Sequence, residues 1–304
     1  ERPTQSRARS RMRVALEQSR VAICVPYAYG HVVAQWATWM CDSIAVPVHP
    51  KLPEAQIEYL IGDSAADLMV CSQETIHLVR AGAASCSIPL VLVDAADARV
   101  NEVHRLNSQD QTTNESLLKP ADLEDEHAAV LIYTSGTTGR PKGVVWTHNM
   151  LTFWARAMEA QWGWTPEDRI TNWLPLHHVH GLLNVVTTGL YSGAHVTTQE
   201  SFSTQTAWKQ LLAEKPHQPT LFMGVPTMYA YMISHFQSSS SSEQREMREK
   251  AAALRLYVSG SASLPRTYFR EWQNICGQPI LERYGMTEAG MPLSNPLHPA
   301  DARR

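Results

Sequence analysis

The sequence predicts an α/β protein built of layered helices and largely parallel sheets. Short β-branched runs alternate with stretches of helical periodicity along most of the 304 residues, the pattern that folds into βα units. One such run, Ala128-Ala-Val-Leu-Ile-Tyr133, ends abruptly in Thr134-Ser-Gly-Thr-Thr-Gly-Arg-Pro-Lys-Gly143, as a buried strand does when it delivers a loop to one end of a sheet. Hydrophobic content of 44% with 18% charged residues is enough for a full core.

Val21 to Val25 reads as a buried strand, and His31 to Asp42 as a helix with Val32, Val33, Trp36 and Trp39 at helical spacing. Ile44 to Val48 returns as a strand. A helix follows with Pro53 near its start and Gly62 at its end. Leu68 to Cys71 and Ile88 to Val93 are strands flanking a short helix. Residues 94–126 lack apolar periodicity and read as a long surface connection, with Asp122-Leu-Glu-Asp-Glu126 a solvated face. Beyond the glycine-rich loop come helix 148–160, strand 170–174, helix 181–191, strand 194–198 and helix 204–214, then strand 219–223 and helix 226–236. The serine run Ser238 to Ser242 is a loop between two helices. Ser241 and Gln244 are placed for a capping box, and Glu246 and Lys250 for an i,i+4 pair. Strand 255–258, helix 265–275 and strand 279–283 close the pattern.

A net charge of −3 offers no general attraction for nucleic acid or anionic membrane, so an anionic ligand must be held by a local site. No apolar stretch approaches the roughly 18 residues of a membrane span. Five cysteines, Cys24, Cys41, Cys71, Cys86 and Cys276, are scattered and odd in number, which suits reduced thiols better than a disulfide scaffold or a zinc site. Residues 1–19 are irregular and basic. Their arginines and serines have the composition of a transit peptide, but Glu1 and Glu17 intrude, and a truncated or rearranged start is the expectation.

The chemistry concentrates in the loop after Tyr133. Gly136, Gly139 and Gly143 let backbone approach an anion, Ser135, Thr137 and Thr138 add hydroxyl donors, and Lys142 adds a mobile charge. It is not a Walker A loop, because no Gly-Lys-Ser/Thr closes it and Pro141 sits where that motif needs a donor. A plain surface turn is the alternative, and the strand, hydroxyl cluster and Pro-Lys-Gly together favour the phosphate cradle. Three more strings follow: Leu174-Pro-Leu-His-His-Val-His-Gly181, Val258-Ser-Gly-Ser-Ala-Ser-Leu-Pro265 and Glu282-Arg-Tyr-Gly-Met-Thr-Glu288. In this order the four resemble the signatures of the adenylate-forming superfamily, which comprises acyl-CoA synthetases, luciferases and adenylation domains. The resemblance covers about residues 20–297 and is strongest to the malonyl-CoA synthetases, through His31 to Pro50, the string from Leu174 to Gly181, and Leu281 to Glu288.

The resemblance implies the layered α/β N-terminal domain of these enzymes, with ATP, Mg2+ and coenzyme A as cofactor and co-substrates and a small carboxylic acid as substrate. Thr134, Ser135, Gly136, Thr137, Thr138, Gly139 and Lys142 would hold the β- and γ-phosphates. Gly260, Ser261 and Ala262 would line the adenine, Tyr284 would stack on it, and Gly285 belongs to the same segment. Thr287 would donate to the α-phosphate and Glu288 would be the metal ligand. His178 would orient the carboxylate as a donor. A histidine metal site at His177, His178 and His180 is the competing reading, without carboxylate or thiolate ligands nearby in sequence. His180, Asn184 and Met286 would contact the acid, with Val225 to Tyr229 another wall. A dicarboxylate needs a cation for its distal group. Arg255 and Arg283 are the candidates. Malonyl-type relatives commonly carry a basic residue after the Pro-Thr-hydrophobic-Tyr string, whereas here Ala230 and Tyr231 follow.

The superfamily continues with an Asp that grips the ribose, a hinge, and a small mobile domain bearing a catalytic Lys, and no segment here resembles them. The expectation is an AMP-binding domain over residues 20–297, incomplete at both ends, with 298–304 a tail. The function implied is adenylation of malonate or methylmalonate followed by CoA thioester formation, poorly or not at all by this chain alone. A fatty or aryl acid substrate, and a non-catalytic nucleotide-binding isoform, are the alternatives. Location by resemblance is mitochondrial, otherwise cytoplasmic; no nucleic-acid partner is expected.

Overall fold

Strand β1 (Arg20–Cys24) is apolar after its first residue, and all four apolar side chains are buried, as in a strand covered on both faces. It is central to a seven-stranded sheet in the computed structural model, which describes residues 18–97, 100–104, 124–134 and 139–303. Helix α1 (Tyr29–Met40) leads to β2 (Ile44–Pro47), α2 (Glu54–Asp63) to β3 (Leu68–Cys71), and α3 (Ile76–Ser85) to β4 (Leu90–Val93). With β5 (Val100–His104), β6 (Ala128–Thr134) and β7 (Lys142–Thr147), the order is β5-β4-β3-β1-β2-β6-β7. β1 pairs in parallel with β2 and β3, while the edges, β5 on β4 and β7 on β6, are antiparallel. Ile57, Ile61 and Val79, from α2 and α3, pack with Ala22, Val46 and Met69 of the sheet, each large side chain contributing about 1.5–3 kcal/mol on burial.

Two features depart from the sequence reading here. The expected surface connection contains β5, a polar edge strand; residues 105–123 lie outside the described residues. The glycine-rich loop does not run into a helix. The chain forms β7 first, antiparallel to β6 from Ala128↔Thr147 to Thr134↔Lys142 with a register shift between Ala128 and Val130, so the segment after Tyr133 joins two paired strands.

The chain divides into two compact units, Glu1–Leu151 and Thr152–Arg304. The first holds the seven-stranded sheet. Helix α4 (His148–Trp162) belongs to the second from Thr152 onward. There β8 (Arg169–Asn172) pairs in parallel with β9 (His195–Thr198), with the π-helix His180–Thr187 and helix α5 (Thr188–Tyr191) between them. After α6 (Thr204–Leu211), strands β10 (Leu221–Gly224), β11 (Leu256–Ser259) and β12 (Leu281–Met286) run parallel, and β13 (Gly290–Ser294) returns antiparallel. Helices α7 (Pro226–Ser238), α8 (Ser241–Ala252) and α9 (Arg266–Cys276) connect them. Trp272 of α9 is fully buried edge-on to Tyr229 and Tyr257, with ring centroids 5.3 and 5.2 Å away. All five cysteines are free.

The capping box lies one residue earlier than the sequence suggests, with Ser240 and Glu243 as its members. The Gln244 amide instead donates to the carbonyls of Phe236 and Ser239, satisfying the end of α7. Lys250 pairs with Glu214 at 2.5 Å, across elements rather than along its helix. The expected helix 181–191 is a π-helix over most of its length, its wide turns fixed by the hydroxyls of Thr187 and Thr188, which donate to Leu182 and Leu183 five residues back. β13 extends the structure beyond the last expected strand.

Candidate active site

In the second unit the chain leaves β8 through a tight turn that Asn172 closes, its amide donating to the Leu174 carbonyl and accepting from the Leu174 N–H. The π-helix then starts against that turn. A Cβ on Gly181 would lie 2.6 Å from the Pro175 carbonyl oxygen, so only glycine permits the approach. His178 sits at this corner, exposed, with its ring 3.9 Å from that of His177. Partial desolvation by the surrounding protein holds its pKa below the usual histidine value. His180 is buried, with Nδ1 3.0 Å from the Ser261 hydroxyl and Nε2 without a partner among the described residues. Burial, then the Arg283 charge, then His178 push its pKa well down, so it is a neutral imidazole.

Strand β11 delivers Ser259, Gly260 and Ser261 to the same place. Ser261 holds a left-handed backbone, φ +66°, which turns its hydroxyl to His180. A Cβ on Gly260 would fall 2.3 Å from Arg283 Nε, so the guanidinium lies directly on the glycine backbone. Arg283 on β12 is 5% exposed, and its Nε and Nη2 have no hydrogen-bond partner among the described residues. Burial lowers its pKa to about 10, still leaving it charged at neutral pH. A buried guanidinium without a carboxylate is costly unless an anion joins it. Together with Ser261, Ala262, Tyr284, Gly285 and Asn295 it lines a cavity of about 520 Å³.

Past β12 the chain reverses in a tight turn, in which the Ala289 N–H donates to the Met286 carbonyl and Gly290 has φ +65°. Thr287, half-buried, and Glu288, exposed, sit on this turn, and Met286 is exposed beside them. Tyr284 is 58% exposed along the cavity, leaving its face open for stacking. Gly285 packs on Gly290, where a Cβ would come within 2.4 Å of the Gly290 oxygen.

Arg255 does not join this group. Its guanidinium is bidentate with Asp168, Nε to Oδ1 at 2.7 Å and Nη2 to Oδ2 at 2.6 Å, and Nη1 donates to the Trp162 carbonyl. It precedes β11, whereas Ser259 to Ser261 leave the strand's other end. Burial raises the Asp168 carboxyl, but the Arg255, Thr220 and Thr165 hydrogen bonds together hold its pKa below the usual value.

The arms of the glycine-rich loop belong to the first unit. Thr134 and Lys142 face each other across the hairpin, with the Thr134 hydroxyl 3.5 Å from the Lys142 carbonyl, and Gly139 has φ +127°. Ser135, Gly136, Thr137 and Thr138 lie outside the described residues. The hairpin base is anchored to α2, the Tyr133 hydroxyl donating to Asp63 at 2.7 Å and the Tyr59 hydroxyl to the Pro141 carbonyl at 3.1 Å. Arg140 lies over the Tyr59 ring, adding a second cation beside Lys142.

Two residues of the second unit escaped the sequence reading. Ser259 ends β11 with a buried hydroxyl that lacks a partner among the described residues; its place beside Gly260 was the signal. Trp154 of α4 donates from Nε1 to Asn184 Oδ1 at 2.8 Å, and a tryptophan on an amphipathic helix carries no sequence signal beyond that of a core residue.

A family model described as AMP-binding enzyme matches residues 13–304. The chain belongs to the AMP-binding enzyme family. It is 38% identical over 285 residues to the mitochondrial malonate–CoA ligase of Mus musculus, covering 93% of this chain and 47% of that protein. Among solved structures it is similar to the ATP-bound MatB of Rhodopseudomonas palustris, with a TM-score of 0.78, 26% identity, and coverage of 96% of this chain and 54% of that one. A malonyl-CoA ligase in a ternary complex with methylmalonyl-CoA and AMP gives 0.74 at 30% identity, over 94% of this chain and 55% of that one. The layered α/β fold is thus that of the N-terminal domain of adenylate-forming enzymes. The chain spans about half the length of the curated relatives it matches.

Proposed function

We propose that this chain carries acid- and nucleotide-binding machinery of an AMP-forming acid–CoA ligase acting on malonate. The observation that carries the reading is Arg283, a buried cation with two unpartnered donor nitrogens on a cavity wall beside the neutral His180. A fatty or aryl acid would leave that charge unpaired in a desolvated site, whereas the distal carboxylate of malonate neutralises it. The names of the relatives, malonate–CoA ligases and a malonyl-CoA ligase, support the same acid.

In the first half-reaction a malonate oxygen attacks the α-phosphorus of ATP, the bond to the β-phosphate bridging oxygen breaks, and pyrophosphate leaves. In the second, the coenzyme A thiol attacks the acyl-adenylate carbonyl, losing its proton, and AMP departs. Two anions must first be brought together, so the protein's task is charge neutralisation and alignment. The loop from Thr134 to Lys142 serves the β- and γ-phosphates, and Thr287 serves the α-phosphate. Tyr284 offers a stacking face and Gly260 to Ala262 a backbone edge to adenine. His178 acts as a hydrogen-bond donor to the reacting carboxylate. His180, Asn184 and Met286 wall the acid. Glu288, exposed on the turn after β12, would be the protein ligand of a Mg2+ carried on the nucleotide. Bound there, the ion neutralises phosphate charge. Relatives named as mitochondrial support a mitochondrial location.

Acid-dependent exchange of pyrophosphate into ATP, run with malonate, methylmalonate, butyrate and benzoate, tests the reading. Malonate should be preferred by at least about tenfold, and Arg283→Met should remove that preference. Equal exchange with butyrate, or an unchanged malonate preference in the variant, would overturn it.

A further inference from the structure

We propose that Trp154 is a positioning residue for the acid site, acting through the Asn184 side chain. The inference deepens the malonate reading and rests on it. An indole N–H can only donate, so the 2.8 Å contact between Trp154 Nε1 and Asn184 requires the amide to present Oδ1 to the ring. That settles which way round the amide sits. Its Nδ2 is turned away from the indole, buried, and without a hydrogen-bond partner among the described residues. Asn184 is one turn from His180 on the π-helix, and His180 touches Ser261 beside the cavity. A buried amide donor in this position needs an acceptor, and a carboxylate oxygen of the acid supplies one. With the amide reversed, Oδ1 would face that oxygen and repel it.

The same indole braces the turn carrying Thr287 and Glu288. A Cβ on Gly290 would lie 2.7 Å from Cζ3 and Cη2 of Trp154, so the turn packs against the benzo half of the indole. Trp154 therefore touches both the helix that walls the acid and the turn proposed to serve the α-phosphate, without lying on the cavity wall itself. The two contacts are separable, because the ring supplies one and the N–H the other.

Replacing Trp154 by β-(3-benzothienyl)alanine keeps the fused ring, with its Cζ3 and Cη2 carbons against Gly290, and deletes the donor. In pyrophosphate exchange the variant's malonate KM should rise about tenfold, with kcat and the ATP KM within about twofold of the parent. In an Asn184→Leu background the same change should alter malonate KM less than twofold, because the group it acts through is gone. Equal effects in both backgrounds, or a fall in kcat with KM unchanged, would overturn the proposal. Nitrogen-15 labelling of the tryptophans gives a readout that needs no turnover. The indole N–H lost in that replacement should exchange slowly with solvent in the parent and shift on addition of malonate; rapid exchange would overturn the proposal. Loss of malonate exchange by the parent itself, with the indole still protected, would sink the substrate reading and leave the Trp154–Asn184 bond standing.

Discussion

Arg283 and Arg255 lie on or beside neighbouring strands, carry the same side chain, and have opposite fates. The fork of Arg255 is filled by Asp168 and the Trp162 carbonyl, while Arg283 has donors to spare. Replacing Arg255 leaves Asp168, 2% exposed, as a buried carboxylate short of its main partner. Arg255→Met should therefore cost about 2–4 kcal/mol in denaturant unfolding and leave malonate KM unchanged. A large KM effect with little loss of stability would reverse the assignment of the two arginines. Both looked equivalent as cations near signature strings. Strand polarity distinguishes them: Arg255 enters a parallel strand, and ligands gather where parallel strands end. Tyr284, Thr287 and Glu288 stand out in the sequence only through the order of the four strings, and the structure sets them at the end of β12 and on the turn after it. The Trp154–Asn184 bond was not legible there, because it joins residues 30 positions apart through one side-chain contact.

At the scale of elements, the segment before the glycine-rich loop is held by helix α1. Trp39 of α1 donates from its buried Nε1 to the Ala129 carbonyl at 2.7 Å, tying that helix to β6. Trp39→Phe should lower stability by about 1–2 kcal/mol, read as a lower denaturant midpoint at constant slope, because the carbonyl is left buried and unpaired. The helices and parallel strands were legible because each has one apolar period and clear stop residues, such as Gly277 with φ +74° after α9. Three elements were not. The β5 sequence Val-Asn-Glu-Val-His is too polar for a core strand and survives as an edge. Lys142 and Gly143 read as the end of a loop, although Val144, Val145, Trp146 and Thr147 behind them are strong β-formers. The π-helix is buried at every position, and a segment with no polar face gives no period from which to infer its pitch.

For the whole molecule, net charge of −3 says little about pH, because His31 and His180 are buried. His31 is fully buried, its Nδ1 donating to the Val25 carbonyl at 3.2 Å, and burial lowers its pKa to about 4. In the unfolded chain it titrates near pH 6.5. The neutral form is therefore favoured by folding. Its contribution is intact above about pH 6.5, and as pH falls toward 4 the unfolded state takes up a proton that the folded state refuses. Over that window stability should drop by about 3 kcal/mol from this residue alone. His148, His178 and His180, also lowered chiefly by burial, add to the loss with the same sign. Asp168 acts in a lower window: its depressed pKa keeps the Arg255 pair contributing until the pH falls through the carboxylate range. Urea unfolding at intervals from pH 8 to 4 should thus give a stability that is flat at the alkaline end and falls steeply below about 6.5. His31→Gln should be less stable at pH 8, since the cavity is shaped for an imidazole, yet show a shallower decline between 6.5 and 4.5. A parent profile that rises on acidification, or a His31→Gln profile parallel to the parent's, would remove His31 as the group that links folding to protons.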